Sequence, residues 1–229
     1  MANCELKMLK SIKKKLRYTL SICRNYYHYL RRSSLYLDKP YPIYVKKNDS
    51  GLKIHLGAGP INIQGWINVD ARSYDHTHLV AKGFDLAEFS DGSISEIYIC
   101  HVLEHFSFAE AESLLRHFKR KLCVGGVIRV SVPSFDQLVA VYQDSNNNLD
   151  LIKLAVMGGQ DYEFNFHKSI YNHSSLMNLL NSCGYINVEA WNTLDDFGAD
   201  LGDWSNKSFQ SSKGPLMVSL NLKGVNGGI

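Results

Sequence analysis

Cysteine is sparse in this chain, and its spacing forms no pairs. Cys4, Cys23, Cys100, Cys123 and Cys183 are scattered, odd in number and include no C-x-x-C. That argues against a disulfide framework or a thiolate zinc site and for a reducing cytosol. Long apolar runs are missing too, and no stretch approaches the ~18–20 residues that cross a bilayer. Charges interrupt every apolar cluster near the N-terminus, so no secretory h-region is evident there. Histidines and acids form no compact ligand cluster along the chain, and no metal is predicted. What remains is ordinary for a soluble globular protein: 45% hydrophobic and 21% charged residues over 229 positions. Such a length makes one generous domain, or a domain with an appendage, with a substantial core.

The small net charge of +3 conceals two regions of opposite sign. Residues 1–47 hold 12 Lys and Arg against 2 Asp and Glu, and the rest holds 13 against 20. Within residues 8–32, Leu9, Ile12, Leu16, Leu20, Cys23, Tyr27 and Leu30 recur at mostly three- and four-residue steps. Lys13, Lys14, Lys15, Arg17, Arg24, Arg31 and Arg32 surround them. The spacing predicts an amphipathic helix, which Pro40 and Pro42 stop before an extended linker toward Gly51. The expected division is a basic extension and linker over residues 1–50 and a body over residues 51–229. Two readings of the extension stay open. It is an interfacial helix on anionic lipid, each basic residue contributing on the order of 1 kcal/mol, or a helix packed on the body or a second copy. Basic and aromatic residues also bind nucleic acid, but no recognised reading module accompanies them. No nucleic-acid partner is expected, and the oligomeric state is open.

The body begins with a short apolar strand, Leu52 to Leu56, a turn Gly57-Ala58-Gly59-Pro60, and a second strand, Trp66 to Val69, ending on Asp70. Glycine lets backbone approach a ligand closely, and a carboxylate ending the next strand can accept hydrogen bonds from a ribose diol. A third strand is expected at or before Asp85 and a fourth over Ser95–Cys100. Ser107-x-x-Glu110 is a capping-box signature. It opens a helix with Phe108, Ala111, Leu114, Leu115, Phe118 and Leu122 on one face, closed by Gly125-Gly126. Val127–Val132 reads as a fifth strand. Ser134-x-x-Gln137 opens another helix, broken by Asn146-Asn147-Asn148. An irregular insertion over 151–173 precedes a helix near Ser174–Cys183, a strand Ile186–Trp191, a polar loop 195–214 and a last strand Leu216–Leu222. Alternating strands and helices followed by two late strands predict a parallel sheet finished by an antiparallel strand.

In order, His55-Leu56-Gly57-Ala58-Gly59, Asn68-Val69-Asp70, Asp85-Leu86, His101-Val102-Leu103-Glu104-His105-Phe106 and Leu122–Gly126 resemble the motifs of class I S-adenosylmethionine-dependent methyltransferases. More narrowly, with Gly158–Ser169, the chain resembles small methyltransferases of bacterial surface-polysaccharide (O-antigen and capsule) biosynthesis. The resemblance spans roughly residues 50–222. It implies an α/β, Rossmann-like, mostly parallel seven-stranded sheet with an antiparallel last strand. Only ten residues separate Leu56 from Ile67, barely enough for a parallel crossover, so the first helix is expected to be short or missing. Asn62, where a dinucleotide fingerprint needs glycine, and the early Asp70 disfavour a dinucleotide fold.

The resemblance also implies S-adenosylmethionine as cofactor, with His55, Gly57, Ala58, Gly59 and Asp70 at the turn and ribose. Asp85 and Leu86 would stand at the adenine, and His101 and Leu103 at the end of the fourth strand. Methyl transfer to a hydroxyl is helped by a general base, and histidine suits that task near neutrality. His105 and His167 are the candidates, and Gln160, Tyr162, Asn165 and Lys168 are placed at the acceptor. The reading is a cytosolic methyltransferase, at the inner membrane face if its tail binds lipid. Its acceptor is a hydroxyl of a sugar, nucleotide-sugar or lipid-linked glycan. Another acceptor class, or a non-catalytic scaffold in a glycan assembly complex, is the alternative.

Overall fold

The computed structural model describes residues 51–81, 83–212 and 214–228. The helix expected over residues 8–32, its linker and the boundary at residue 50 lie outside the described residues. Strands β1 (Leu52–Leu56), β2 (Ile67–Asp70), β3 (Leu79–Val80), β4 (Ile94–Cys100) and β5 (Leu122–Pro133) pair in parallel. Beyond β5 come β6 (Tyr185–Ala190), a separate hairpin of β7 (Ser208–Ser211) and β8 (Gly214–Met217), and β9 (Ser219–Asn226). Strand β9 lies antiparallel between β5 and β6, giving a seven-stranded sheet in the order β3-β2-β1-β4-β5-β9-β6. The mostly parallel sheet with a reversed last strand is therefore as its sequence implies. The helices are α1 (Phe108–Lys121), α2 (Phe135–Asp144), α3 (Lys153–Met157), α4 (His173–Ser182) and α5 (Thr193–Phe197).

No helix joins β1 to β2. Tight turns replace it, with Ile61 N donating to Ala58 O at 2.9 Å and Trp66 N to Ile63 O at 3.1 Å. This short link determines how the sheet is covered. Alternate residues of a strand point to opposite faces, so Ile54, Ile97, Ile99, Ile128 and Val130, each 0% exposed, form one apolar face. On the other face the strand register aligns Asn68, His55, Tyr98, Arg129 and Lys223 across five neighbouring strands. A polar row on a covered sheet needs partners for its donors and acceptors. Residues from both ends of the domain supply them. Ile63 and Trp66 from the short crossover pack with Tyr98 and Trp191, and Phe197 of α5 closes over them. Ring centroids of Tyr98 lie 5.1 Å from Phe197 and 5.5 Å from Trp191, separations at which aromatic pairs add about 0.5–1.5 kcal/mol beyond burial. Tyr98 Oη donates to Asp203 Oδ2 at 2.6 Å. Arg129 meets Glu96 at 2.5 Å and Asp196 at 3.0 Å, and Lys223 meets Asp196 at 3.1 Å, which pins α5 to the sheet.

Helix α1 carries the predicted capping box: Ser107 N donates to Glu110 Oε2 at 2.8 Å, and Glu110 N donates to Ser107 Oγ at 3.4 Å. It buries Ala111, Leu114, Leu115 and Phe118. The helix stops at Lys121, and the chain turns extended at Leu122. Gly125-Gly126 is therefore no helix cap. It falls inside β5 where the register with β4 shifts, with Gly125 at φ 80°. Ser134 precedes α2 without a side-chain cap. Its backbone instead reaches Val218 O, and Phe135 N reaches Tyr171 O, tying the helix start to later chain. The last strand starts at Ser219, not Leu216, because residues 208–217 form the β7–β8 hairpin.

Candidate functional site

The turn after β1 is held from several sides. Gly57 N and Ala58 N both donate to Val69 O, at 2.7 and 3.1 Å. Gly59 N donates to Asp70 Oδ2 at 2.8 Å, and Arg72 N donates to Asp70 Oδ1 at 2.7 Å. His76 Nε2 donates to the Gly59 carbonyl at 3.0 Å. Gly57 and Gly59 sit at φ 69° and 51°, in the left-handed region that glycine enters without penalty. Gly57 has a second reason to be glycine, since a Cβ there would stand 2.1 Å from Val102 Cγ2.

At the C-terminal ends of the parallel strands, where open α/β sheets hold their ligands, lies a pocket of about 240 Å³. Gly57, Gly59 and Asp70 line it, as do Phe84, His101, Val102, His105 and Phe106. Tyr162, Phe164, Phe166 and Lys168 of the insertion complete the wall. Arg72 joins the two sides of the chain here. Its guanidinium lies 4.6 Å from the Tyr162 ring and 5.2 Å from the Tyr74 ring, within cation–π range. Burial raises both phenols above their ordinary value. Lys168 N and Ser169 N donate to Glu104 O at 2.7 and 3.2 Å, fastening the insertion to the turn after β4.

Seven of the residues anticipated at the site line this pocket: Gly57, Gly59, Asp70, His101, His105, Tyr162 and Lys168. The others lie elsewhere. His55 is buried beneath the sheet, stacked on Tyr98 at 5.2 Å with Nδ1 3.1 Å from Asn68 Oδ1. Burial lowers its pKa to about 4, with the Asn68 hydrogen bond opposing. Ala58, Leu86 and Leu103 are core residues. Asp85 is exposed in an adjoining groove with His117 and Arg120. Gln160 and Asn165 brace the insertion, Gln160 N donating to Asn165 O at 2.8 Å. Phe84, Phe106 and Arg72 belong to the site without having been anticipated. The reason at Phe84 and Leu86 is backbone conformation. Both take positive φ, 56° and 50°, which sends Phe84 to the pocket and Leu86 to the core.

One side of the site is a group the linear sequence conceals. Glu104, on a 3-10 turn Leu103–His105, is 1% exposed, and neither carboxylate oxygen has a hydrogen-bond partner among the described residues. His101 Nδ1 lies 3.2 Å and His167 Nε2 3.9 Å from Glu104 Oε1. The His105 and His167 rings meet edge-on with centroids 4.8 Å apart. Burial pushes the Glu104 carboxyl up, but the surrounding histidines, His101 foremost, more than offset this and hold it below its usual value. Burial lowers the His167 pKa, opposed by Glu104. His167 itself does not line the pocket; His105 does.

The fold and the pocket together define an open α/β protein with a pocket at the carboxyl ends of its parallel strands. No protein-family model matches the chain, and no curated protein matches it in sequence. Solved structures match its fold. A SAM-dependent methyltransferase of Archaeoglobus fulgidus is 16% identical with a TM-score of 0.44, over 86% of this chain and 93% of that one. A SAM-dependent methyltransferase of Thermotoga maritima is 14% identical with a TM-score of 0.47, over 77% and 82%. A Nostoc punctiforme protein assigned as an O-methyltransferase is 14% identical with a TM-score of 0.39, over 66% of this chain; the match spans 37% of that longer protein. These are likenesses of fold and carry nothing about substrate.

Proposed function

We propose that the chain is an S-adenosylmethionine-dependent methyltransferase whose acceptor is a hydroxyl of a sugar or glycan precursor of surface polysaccharide. The observation that carries the cofactor half is the Gly57–Gly59 turn locked to Asp70. Each Asp70 oxygen takes one backbone N–H and keeps lone-pair capacity, and the residue lines the pocket. A carboxylate so placed suits a ribose diol. Gly59, where a Cβ would meet nothing nearer than the Gly57 carbonyl at 4.0 Å, leaves open space beside the turn for the rest of the nucleoside. Phe84 and Phe106, edge-on at 6.2 Å, offer an apolar wall for a base. When bound, the cofactor would supply an electrophilic methyl group on a sulfonium, transferred to a hydroxyl oxygen with the thioether as leaving group.

This chain's residues then have two tasks. Tyr162, Phe164 and Phe166 present aromatic surface to the acceptor, while His105 and Lys168 present polar groups. The hydroxyl proton passes to the histidine–carboxylate group at that end, of which His105 faces the pocket. Aromatic surface beside hydrogen-bonding groups is the support for a sugar acceptor. Among the described residues no helix is long and apolar enough to cross a membrane. The basic residues 8–32 are proposed to rest on an anionic inner-membrane surface, and flotation with acidic liposomes that survives high salt unchanged would refute this.

Titration calorimetry tests the cofactor. The native chain binds S-adenosylmethionine, and Asp70→Asn weakens it roughly 10- to 100-fold, as expected for loss of a charged hydrogen-bond acceptor worth about 1.5–3 kcal/mol. Absence of binding by the native chain refutes the reading. Labelled methyl transfer to nucleotide-sugars and lipid-linked glycans, beside amine and protein acceptors, tests the acceptor. Label found only on nitrogen overturns the sugar assignment.

A further inference from the structure

We propose that Glu104, His105 and His167 bind a divalent transition-metal cation at the acceptor end of the pocket. One donor atom from each lies within 4.8 Å of the other two. Two observations beyond that proximity point to a ligand. The first is Glu104 itself: its carboxylate is 1% exposed and both its oxygens lack a hydrogen-bond partner among the described residues. Leaving a buried charge unsatisfied is costly unless a cation or donor completes it.

The second is how the two histidines are tethered. His105 Nδ1 is 3.2 Å from Phe166 O and His167 Nδ1 is 3.0 Å from Ala155 O. A carbonyl only accepts, so each Nδ1 carries a proton, and in a neutral imidazole so tethered it is Nε2 that keeps the lone pair. For His167 that lone pair stands 3.9 Å from Glu104 Oε1. An acceptor turned toward an acceptor has no partner unless something positive lies between them. Histidines that ligate metals are oriented in this way, with the far nitrogen donating to a carbonyl or carboxylate.

His101 borders the group, with Nε2 2.7 Å from Ser219 Oγ and Nδ1 3.2 Å from Glu104 Oε1, and is not counted among the ligands.

Two imidazoles and one carboxylate suit Mn²⁺, Fe²⁺, Co²⁺ or Zn²⁺ better than the all-oxygen preferences of Ca²⁺ or Mg²⁺. Three protein ligands leave positions open, which distinguishes a reactive site from a structural one. His105 lines the pocket, so the open positions face it. Resting on the transferase reading, those positions take acceptor oxygens. With the metal bound, His105 is a ligand and the hydroxyl proton leaves to solvent, whereas in the metal-free protein His105 is free to take it. The metal site itself stands without that reading.

The test uses the full chain stripped with a chelator and titrated with Co²⁺, followed by its visible ligand-field absorption, alongside calorimetry with S-adenosylmethionine in the absence of metal. One Co²⁺ per chain is expected, displaced by Zn²⁺. Glu104→Gln, His105→Ala and His167→Ala are each expected to weaken it by more than about tenfold. Glu104 is buried and its variant can misfold, so His105→Ala, at a half-buried position, decides the matter if it does. No saturable Co²⁺ spectrum at millimolar metal, or equal affinity in the native chain and both histidine variants, overturns the site. The calorimetry arm reports on cofactor binding separately, so failure of one reading is not failure of the other.

Discussion

Gly57→Ala examines both the cofactor turn and the strand end beside it. The new Cβ would stand 2.1 Å from Val102 Cγ2, where carbon atoms prefer about 3.5–4.0 Å. Val102 cannot swing aside cheaply, because it is β-branched and only 5% exposed. Overpacking of this kind costs about 1–3 kcal/mol. The φ of 69° adds about 1–2 kcal/mol for a residue with a Cβ. Gly57→Ala is therefore expected to lose about 2–5 kcal/mol. Val102→Ala alone loses about 1.6 kcal/mol for its two methyl-sized groups, plus a cavity contribution. The double variant removes the clash and keeps the backbone strain, so the two changes should couple favourably by about 1–3 kcal/mol. Urea unfolding of the four proteins, with slopes compared to confirm a common transition, measures this. Additivity within about 0.5 kcal/mol, or a Gly57→Ala protein as stable as the native one, would refute the packing argument.

Three other expectations concern the frame. His55 is held neutral by burial, with its pKa lowered from 6.5 to about 4. Below pH 6.5 the unfolded chain takes up a proton that the folded chain refuses. Stability should then decline down to about pH 4, by up to about 3 kcal/mol, and level off below. His55→Gln should remove that part of the decline, and identical pH profiles for the two proteins would contradict the assignment. Tyr98→Phe leaves Asp203 one donor short in a buried place, and a loss of about 1–3 kcal/mol is expected by chemical denaturation. Ser107→Ala removes half of a capping box and should cost about 1 kcal/mol, read as a lower thermal midpoint.

What could be read in the sequence follows from how local its causes are. The β1 and β4 strands and α1 are carried by runs of apolar residues and by Ser107 with Glu110 three positions on. The missing first helix follows from chain length alone, since ten residues leave room for turns and little else. The conformations of Phe84 and Leu86 were not legible. Nothing in a phenylalanine or leucine announces positive φ, yet that φ decides which of them faces the pocket. Gly125-Gly126 misled for a related reason: a glycine pair serves a strand irregularity as well as a helix end. The β7–β8 hairpin, with Pro215 and few apolar residues, reads as loop until the fold pairs it. Glu104, His105 and His167 were visible as residues but not as a cluster, because tertiary links, from Lys168 and Ser169 to Glu104 O and from His105 to Phe166 O, bring His167 beside the other two.

The aromatic cover over the polar row has a consequence for the order in which the protein can be made. Trp66 and Tyr98 leave the ribosome early, whereas Trp191, Phe197 and Asp203 come near the end. Until those late residues emerge, His55, Asn68 and Tyr98 have a bare side toward water, and the Gly57 turn rests on strands closed on one face only. Folding dominated by contacts so far apart along the chain is slow and leaves apolar surface exposed for longer. The face of the sheet laid down first is thus covered by the segment made last. A nascent chain halted before Trp191 is expected to be protease-sensitive throughout, with no independently folded first half.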